Sequence, residues 1–247
     1  MTQVVILAAG AGTRLYPFTE VVPKIMFPVG REGIPLCQKI IQHCYKHNFS
    51  DFLFCLNTTT GRQVMNYLGN GSKLEPKVDI DYSFSDVPLG TAGELINAKH
   101  KIKNEFLLYY GDTLCKTDLT GLIEQHNRQH DDLTIVTNIN IDIPVGYVEY
   151  IDTGKLIKIQ EKPKLSTLFH FINDTVRIQS GGILPIFYIS KGNEFLNHCS
   201  MKMDIIKDII PSLLKKFNIS VYEDKNPFLD IGTWKNFELA KMWDRDH

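Results

Sequence analysis

The chain has 247 residues, 43% of them hydrophobic and 22% charged, a balance that suits a folded protein with a core to bury and excludes a disordered or fibrous chain. Its formal net charge of −1 gives no general attraction for nucleic acid or an anionic membrane, so a polyanionic ligand must be held by a local group of cations. Cys37, Cys44, Cys55, Cys115 and Cys199 form no C-x-x-C pair, which argues against a disulfide framework or zinc ribbon and for a reducing cytoplasm.

Met1 leads straight into an apolar stretch from Val4 to Ala8, without a basic n-region and too short for a membrane span, so the start reads as a first strand. Further strands are predicted at Phe52 to Asn57, Val78 to Phe84 and Phe106 to Tyr110. Helices at Pro35 to His47, Gly61 to Leu68 and Gly93 to Lys101 fall between them. That rhythm implies βαβ units and a mostly parallel sheet. After a helix from Leu119 to His130 come shorter strands, Leu133 to Ile139, Gly146 to Tyr150 and Leu156 to Glu161, read as antiparallel additions. A strand from Ile183 to Ile189, a helix near Met203 to Phe217, a strand from Ile219 to Glu223 and a helix from Trp234 to Trp243 complete the chain. No repeat, low-complexity tract or linker divides it. The expectation is one α/β domain over 1–247, with a Rossmann-like mixed, mostly parallel sheet flanked by helices.

Directly after the first strand, Leu7-Ala8-Ala9-Gly10-Ala11-Gly12-Thr13-Arg14-Leu15 forms a turn of small residues, which lets backbone N–H groups approach a phosphate closely. By themselves these glycines also fit an ordinary strand-to-helix turn. A dinucleotide fingerprint is excluded, because its third glycine is replaced by Leu15 and the acid ending its second strand by Asn57. The G-K-[ST] of a P-loop is absent. Arg14 and Lys24 flank a loop stiffened by Pro17 and Pro23, where a forked guanidinium and a mobile ammonium could together neutralise a pyrophosphate.

Asp112 follows the apolar strand Phe106 to Tyr110, at the strand edge where open parallel sheets bind ligands, and is suited to hold magnesium. Asp230 precedes Thr233, a good N-cap for the last helix. Pro88 to Gly93 carries a strand into a helix through two glycines, with base contact expected near Gly90 and Thr91. Glu161-Lys162-Pro163 ends a strand, and the proline forces an extended exit. His126 and His130 read as solvated helix residues, Trp234 and Trp243 as a core-covering face, and Cys115 as a small core or rim residue without a basic partner.

Leu7-Ala8-Ala9-Gly10-x-Gly12-Thr13-Arg14-Leu15-x-Pro17-x-Thr19 with Pro23-Lys24 resembles the motif of the sugar-phosphate nucleotidyltransferases. The resemblance continues through Pro88-Leu89-Gly90-Thr91-Ala92-Gly93, Gly111-Asp112, Glu161-Lys162-Pro163 and Asp230-Ile231-Gly232-Thr233, in the family's order. It implies transfer of a nucleotidyl group from an NTP to a sugar 1-phosphate, with release of pyrophosphate. Implied catalytic residues are Arg14, Lys24, Asp112, Lys162 and Asp230, with Asp112 and Asp230 holding Mg2+ against the α-phosphate. Leu7, Ala8, Ala9, Gly10, Gly12, Thr13, Arg14, Pro88, Gly90 and Thr91 would bind the nucleotide. Glu161 would hold sugar hydroxyls, Lys162 the sugar's phosphate, and Gly146 and Gly182 would bring backbone against the sugar. Residues 1–115 would then be mainly the nucleotide-binding half and 116–247 mainly the sugar-phosphate half.

The pattern departs from the family at Ser180, where asparagine is usual, at Leu184-Pro185, which reads as a two-residue extension, and at Arg31-Glu32-Gly33-Ile34-Pro35, which reads as expanded relative to the usual G-K-P after Pro28-Val29. Ala9 stands where thymidylyltransferases tend to have glycine, and the Pro88 to Gly93 run is nearer to guanylyl- and uridylyltransferases. A non-sugar phosphorylated acceptor and a catalytically silent nucleotide-sugar-binding subunit stay open as alternatives, as does a homodimer; neither nucleic acid nor membrane is an expected partner.

Overall fold

The computed structural model describes residues 2–138, 147–160 and 179–243. It opens with β1 (Gln3–Leu7), an apolar run buried along its whole length. A loop of three-residue 3-10 turns, Thr13–Leu15, Phe18–Glu20 and Lys24–Met26, leads to the antiparallel pair β2 (Pro28–Val29) and β3 (Ile34–Pro35). Then come α1 (Leu36–Lys46), β4 (Asp51–Asn57), α2 (Arg62–Leu68), β5 (Asp79–Ser85), α3 (Thr91–Asn97) and β6 (Phe106–Tyr110). The chain continues through β7 (Thr113–Cys115), α4 (Leu119–Gln129), β8 (Leu133–Asn138), β9 (Tyr147–Tyr150), β10 (Leu156–Gln160), β11 (Gln179–Ile189) and α5 (Gly192–His198). A π-helical turn, Ile205–Ile209, runs into α6 (Ile210–Leu213), followed by β12 (Ile219–Asp224), β13 (Phe228–Asp230) and α7 (Trp234–Ala240).

Nine strands form one sheet in the order β10-β9-β11-β6-β1-β4-β5, with β8 joined to β11 and β12 to β8. The segment β6-β1-β4-β5 is parallel throughout, each step crossing over through a helix, as the βαβ rhythm predicts. β1 has β4 on one side and β6 on the other, so the chain leaves it in opposite directions and a crevice opens at its C-terminal end. β11 lies antiparallel to β6, β8 and β9, whereas β12 is parallel to β8.

Strand side chains alternate between the two faces. Val5, Leu7, Leu53, Cys55, Phe106 and Leu108 pack with Leu95 of α3, Phe195 of α5 and Ile209 and Leu213 beyond it. Val4, Ile6, Phe52, Phe54, Leu107 and Tyr109 pack with Ile40 of α1, Val64 of α2, Leu122 of α4 and Ala240 of α7. The five cysteines are free and buried. Among the described residues no helix is long and apolar enough to cross a membrane.

Several local readings need correction. The helix expected from Gly93 to Lys101 starts at Thr91, ends at Asn97 and continues only as a 3-10 turn over Lys99–Lys101. The helix expected over Met203 to Phe217 is a π turn and one short α segment, since Pro211 has no N–H to give to the preceding turn. His126 is not solvated: it is 2% exposed, with Nδ1 2.9 Å from Thr134 Oγ1. Trp234 is 38% exposed and packs edge-on against Phe18 at 5.0 Å instead of covering the core. Cys115 is buried as expected, but His43 Nδ1 lies 4.0 Å from its sulfur; burial pushes the thiol's pKa up and keeps it unreactive. The Leu184-Pro185 extension forms a bulge, because Ile183 faces Thr137 and Phe187 faces Ile135, leaving two extra residues on β11.

Candidate active site

The glycine turn is pinned where β1 ends. Ala8 N donates to Cys55 O at 2.9 Å and Gly111 N donates to Leu7 O at 2.8 Å, so both neighbouring strands hold the turn's start. A Cβ on Gly10 would meet no atom within 4 Å, which means that the position faces open space, and a cleft of about 350 Å³ lies there against Ala8, Gly10, Lys24 and Asp112. Gly12 has φ 62°, a left-handed conformation that favours glycine, and Thr19 Oγ1 donates to its carbonyl at 3.0 Å. This geometry buries Leu15 and turns Arg14 outward.

Two very short strands bring the acidic pair together. β13 runs antiparallel to β7 with Asp230 opposite Thr113, and Ile231 N donates to Asp112 O at 2.8 Å. Lys24 Nζ lies 2.9 Å from Asp112 Oδ2, and Arg14 Nη2 lies 3.8 Å from Asp230 Oδ2. Gly232 makes room for the second contact, since a Cβ there would stand 2.4 Å from Arg14 Nη2. Burial raises the pKa of Asp230 and the charge on Asp112 raises it further, while Lys24 and Arg14 counter both. Asp230 Oδ1 is buried without a hydrogen-bond partner, an oxygen still to be satisfied. Among the described residues no group of three or more His, Cys, Asp or Glu could hold a metal. Two carboxylates with an unsatisfied oxygen suit a hard divalent cation that takes its other ligands from phosphate and water.

The remaining predicted residues fall in three places. Leu7, Ala8, Ala9, Gly10, Pro88, Gly90 and Thr91 line the main cleft, and Thr13 lines an adjoining hollow of about 290 Å³. Gly90 has φ 77°, and a Cβ on it would stand 2.7 Å from Met203 O, so the segment after α5 fixes this corner. The Thr91 hydroxyl donates to Asp204 Oδ2 at 3.1 Å and accepts from Ile205 N at 2.8 Å, which ties α3 to that segment. Gly182 lies in β11 opposite Asn138 and Tyr147, its carbonyl accepting from Thr137 Oγ1 at 2.7 Å. Gly146, Glu161 and Lys162 lie outside the described residues. Glu94 and Tyr110, which also line the cleft, were not singled out by sequence reasoning. Glu94 is buried where α3 meets the end of β5, hydrogen-bonded to Ser85.

A glycine turn stands at the switch point of an α/β sheet, with the Lys24–Asp112 pair lining the cleft and the Arg14–Asp230 pair beside Asp112. The nucleotidyl transferase family model matches residues 3–247, and the chain belongs to that family. It is 32% identical over 245 residues to the bifunctional protein GlmU of Methanococcus aeolicus, covering 97% of this chain and 52% of that protein. It is 27% identical over 228 residues to the UTP–glucose-1-phosphate uridylyltransferase of a Synechocystis species, covering 86% of this chain and 55% of the relative. The chain thus spans about half the length of these relatives. The fold is shared with HddC from Yersinia pseudotuberculosis, solved in complex with GMP-PN, at a TM-score of 0.74 and 23% identity over 97% of this chain and 98% of that one.

Proposed function

We propose that this chain transfers a nucleotidyl group from an NTP to a sugar 1-phosphate, forming an NDP-sugar and releasing pyrophosphate. The observation that carries this reading is the convergence of the Lys24–Asp112 and Arg14–Asp230 pairs beside the open Gly10 turn. The turn's backbone and the two cations would hold the β- and γ-phosphates, with Arg14 forking onto oxygens and Lys24 acting as a point charge. The acceptor is a phosphomonoester, already anionic at neutral pH, so its oxygen can attack the α-phosphorus without a general base. No histidine or serine is needed in the cleft for that step. Positioning and electrostatics then carry catalysis.

Asp112 and Asp230 are the residues suited to hold Mg2+, and the unsatisfied Asp230 Oδ1 supports that fit. When bound, the ion supplies charge neutralisation at the reacting phosphates. Glu161, Lys162, Gly146 and Gly182 are assigned to the acceptor on the strength of the motif. With them goes the division into a nucleotide half, 1–115, and a sugar-phosphate half, 116–247.

The test is to incubate the protein with Mg2+, each common NTP and a panel of sugar 1-phosphates, and to measure pyrophosphate. Release with at least one pair is expected, and Asp112→Asn should lower that rate on the order of a hundredfold, about 3 kcal/mol of transition-state stabilisation. No release from any pair would overturn the reading.

A further inference from the structure

The main cleft contains an acid that the transfer reading does not use. Glu94, in the first turn of α3, is 6% exposed, and its Oε1 accepts from Ser85 Oγ at 2.9 Å. Its other oxygen, Oε2, is buried and has no hydrogen-bond partner, although the residue lines the cleft together with Leu89, Thr91 and Tyr110. An unsatisfied carboxylate oxygen is costly unless a ligand's donor completes it.

Charge decides which part of a nucleotide can lie there. Phosphates belong with Gly10, Arg14 and Lys24, and a carboxylate would repel them. The nucleobase is then the part left for Glu94, and Leu7, Ala8 and Leu89 are among the apolar residues lining the same cleft. The five common bases differ in what they present to a carboxylate. Uracil and thymine have one N–H between two carbonyl oxygens, both of which would oppose the acid. Adenine and cytosine have one amino group beside a ring nitrogen that also accepts. Guanine alone sets two donors side by side, N1–H and the 2-amino group.

We propose that Glu94 is the specificity-determining residue of the nucleotide site and that it selects guanine, accepting hydrogen bonds from N1–H and the 2-amino group. Burial raises the pKa of Glu94 and the hydrogen bond from Ser85 to Oε1 offsets only part of that; the ionised form is the one that accepts from both donors. The inference rests on the nucleotidyl-transfer reading above and deepens it by naming the base.

The experiment compares GTP, ITP, UTP and ATP as donors under identical conditions. ITP differs from GTP only in lacking the 2-amino group. Wild-type protein should show the highest kcat/KM with GTP, about tenfold or more above ITP, as expected for loss of one hydrogen bond to a charged group. Glu94→Gln keeps the side chain's size but replaces one acceptor oxygen with a donor, and should bring the GTP:ITP ratio towards one. Equal use of GTP and ITP by the wild type, or better use of UTP or ATP, would overturn the proposal whether or not the variant folds. If no NTP releases pyrophosphate, the transfer reading fails by itself. The Glu94 assignment is then judged by equilibrium binding, where GTP must still bind more tightly than ITP and UTP.

Discussion

His126 reaches the core from α4 and meets a chain of hydroxyls. Thr134 Oγ1 donates to Asp131 Oδ2 at 3.1 Å, so His126 Nδ1 carries the hydrogen and donates to Thr134, leaving Nε2 bare, buried and without a partner. A second proton there would have no acceptor, and burial lowers the pKa from 6.5 to about 4. Between those values the unfolded chain binds a proton that the folded one does not, so stability is full above pH 6.5 and falls as pH drops towards 4. The contribution at stake is about 3 kcal/mol. His126→Gln should flatten the dependence of the urea midpoint on pH in that window; an unchanged slope would remove His126 as its source. Gly232 is the other residue whose local geometry makes a demand. In Gly232→Ala the new Cβ would crowd Arg14 Nη2 at 2.4 Å and Asp230 Oδ1 at 2.8 Å. The exposed guanidinium can swing aside, so the urea midpoint should barely move. The transfer rate should fall by ten- to about a hundredfold, because a misplacement of about 1 Å is expensive in catalysis.

Among the elements, β7 and β13 do more for the site than their three residues each suggest, since their pairing places Asp230 beside Asp112. α7 continues from them and is capped by Thr233 Oγ1, which accepts from Asn236 N at 3.3 Å. Its first residue, Trp234, meets Phe18 of the loop that also bears Arg14, with ring centroids 5.0 Å apart. This contact joins the glycine turn's loop to the segment bearing Asp230 from outside the cleft. Trp234→Ala should cost about 1 kcal/mol of stability, the usual worth of an aromatic pair. It should also raise KM for the NTP, and do so only while Arg14 is present. A double-mutant cycle with Arg14→Ala checks this, and strictly additive effects would rule out the coupling.

For the molecule as a whole, one continuous sheet links the parallel segment to the antiparallel one through β6 and β11, and helices cover both faces. Phe187 of β11 is fully buried where those segments meet. Phe187→Ala should cost about 3–5 kcal/mol. Because β11 bonds to β6, β8 and β9, the loss should lower the urea midpoints read by tryptophan fluorescence and by far-ultraviolet circular dichroism together. Separate shifts would show the two segments unfolding independently.

Where hydrophobic period and glycine chemistry act locally, the sequence alone determined the outcome. The four parallel strands, the helices between them, the Gly10 to Arg14 turn and the Thr233 cap all follow from neighbours a few residues apart. Neither β7 nor β13 was legible as a strand, because three residues carry too little period to distinguish a strand from a turn. Burial of His126 and the bend in the Met203 to Phe217 stretch were decided by what packs around α4 and by Pro211. The Asp112 to Asp230 juxtaposition and the buried acid of Glu94 were likewise left to the tertiary structure. Each depends on segments far apart in the chain being brought together, and pairing geometry and desolvation come into being only when the sheet closes over them.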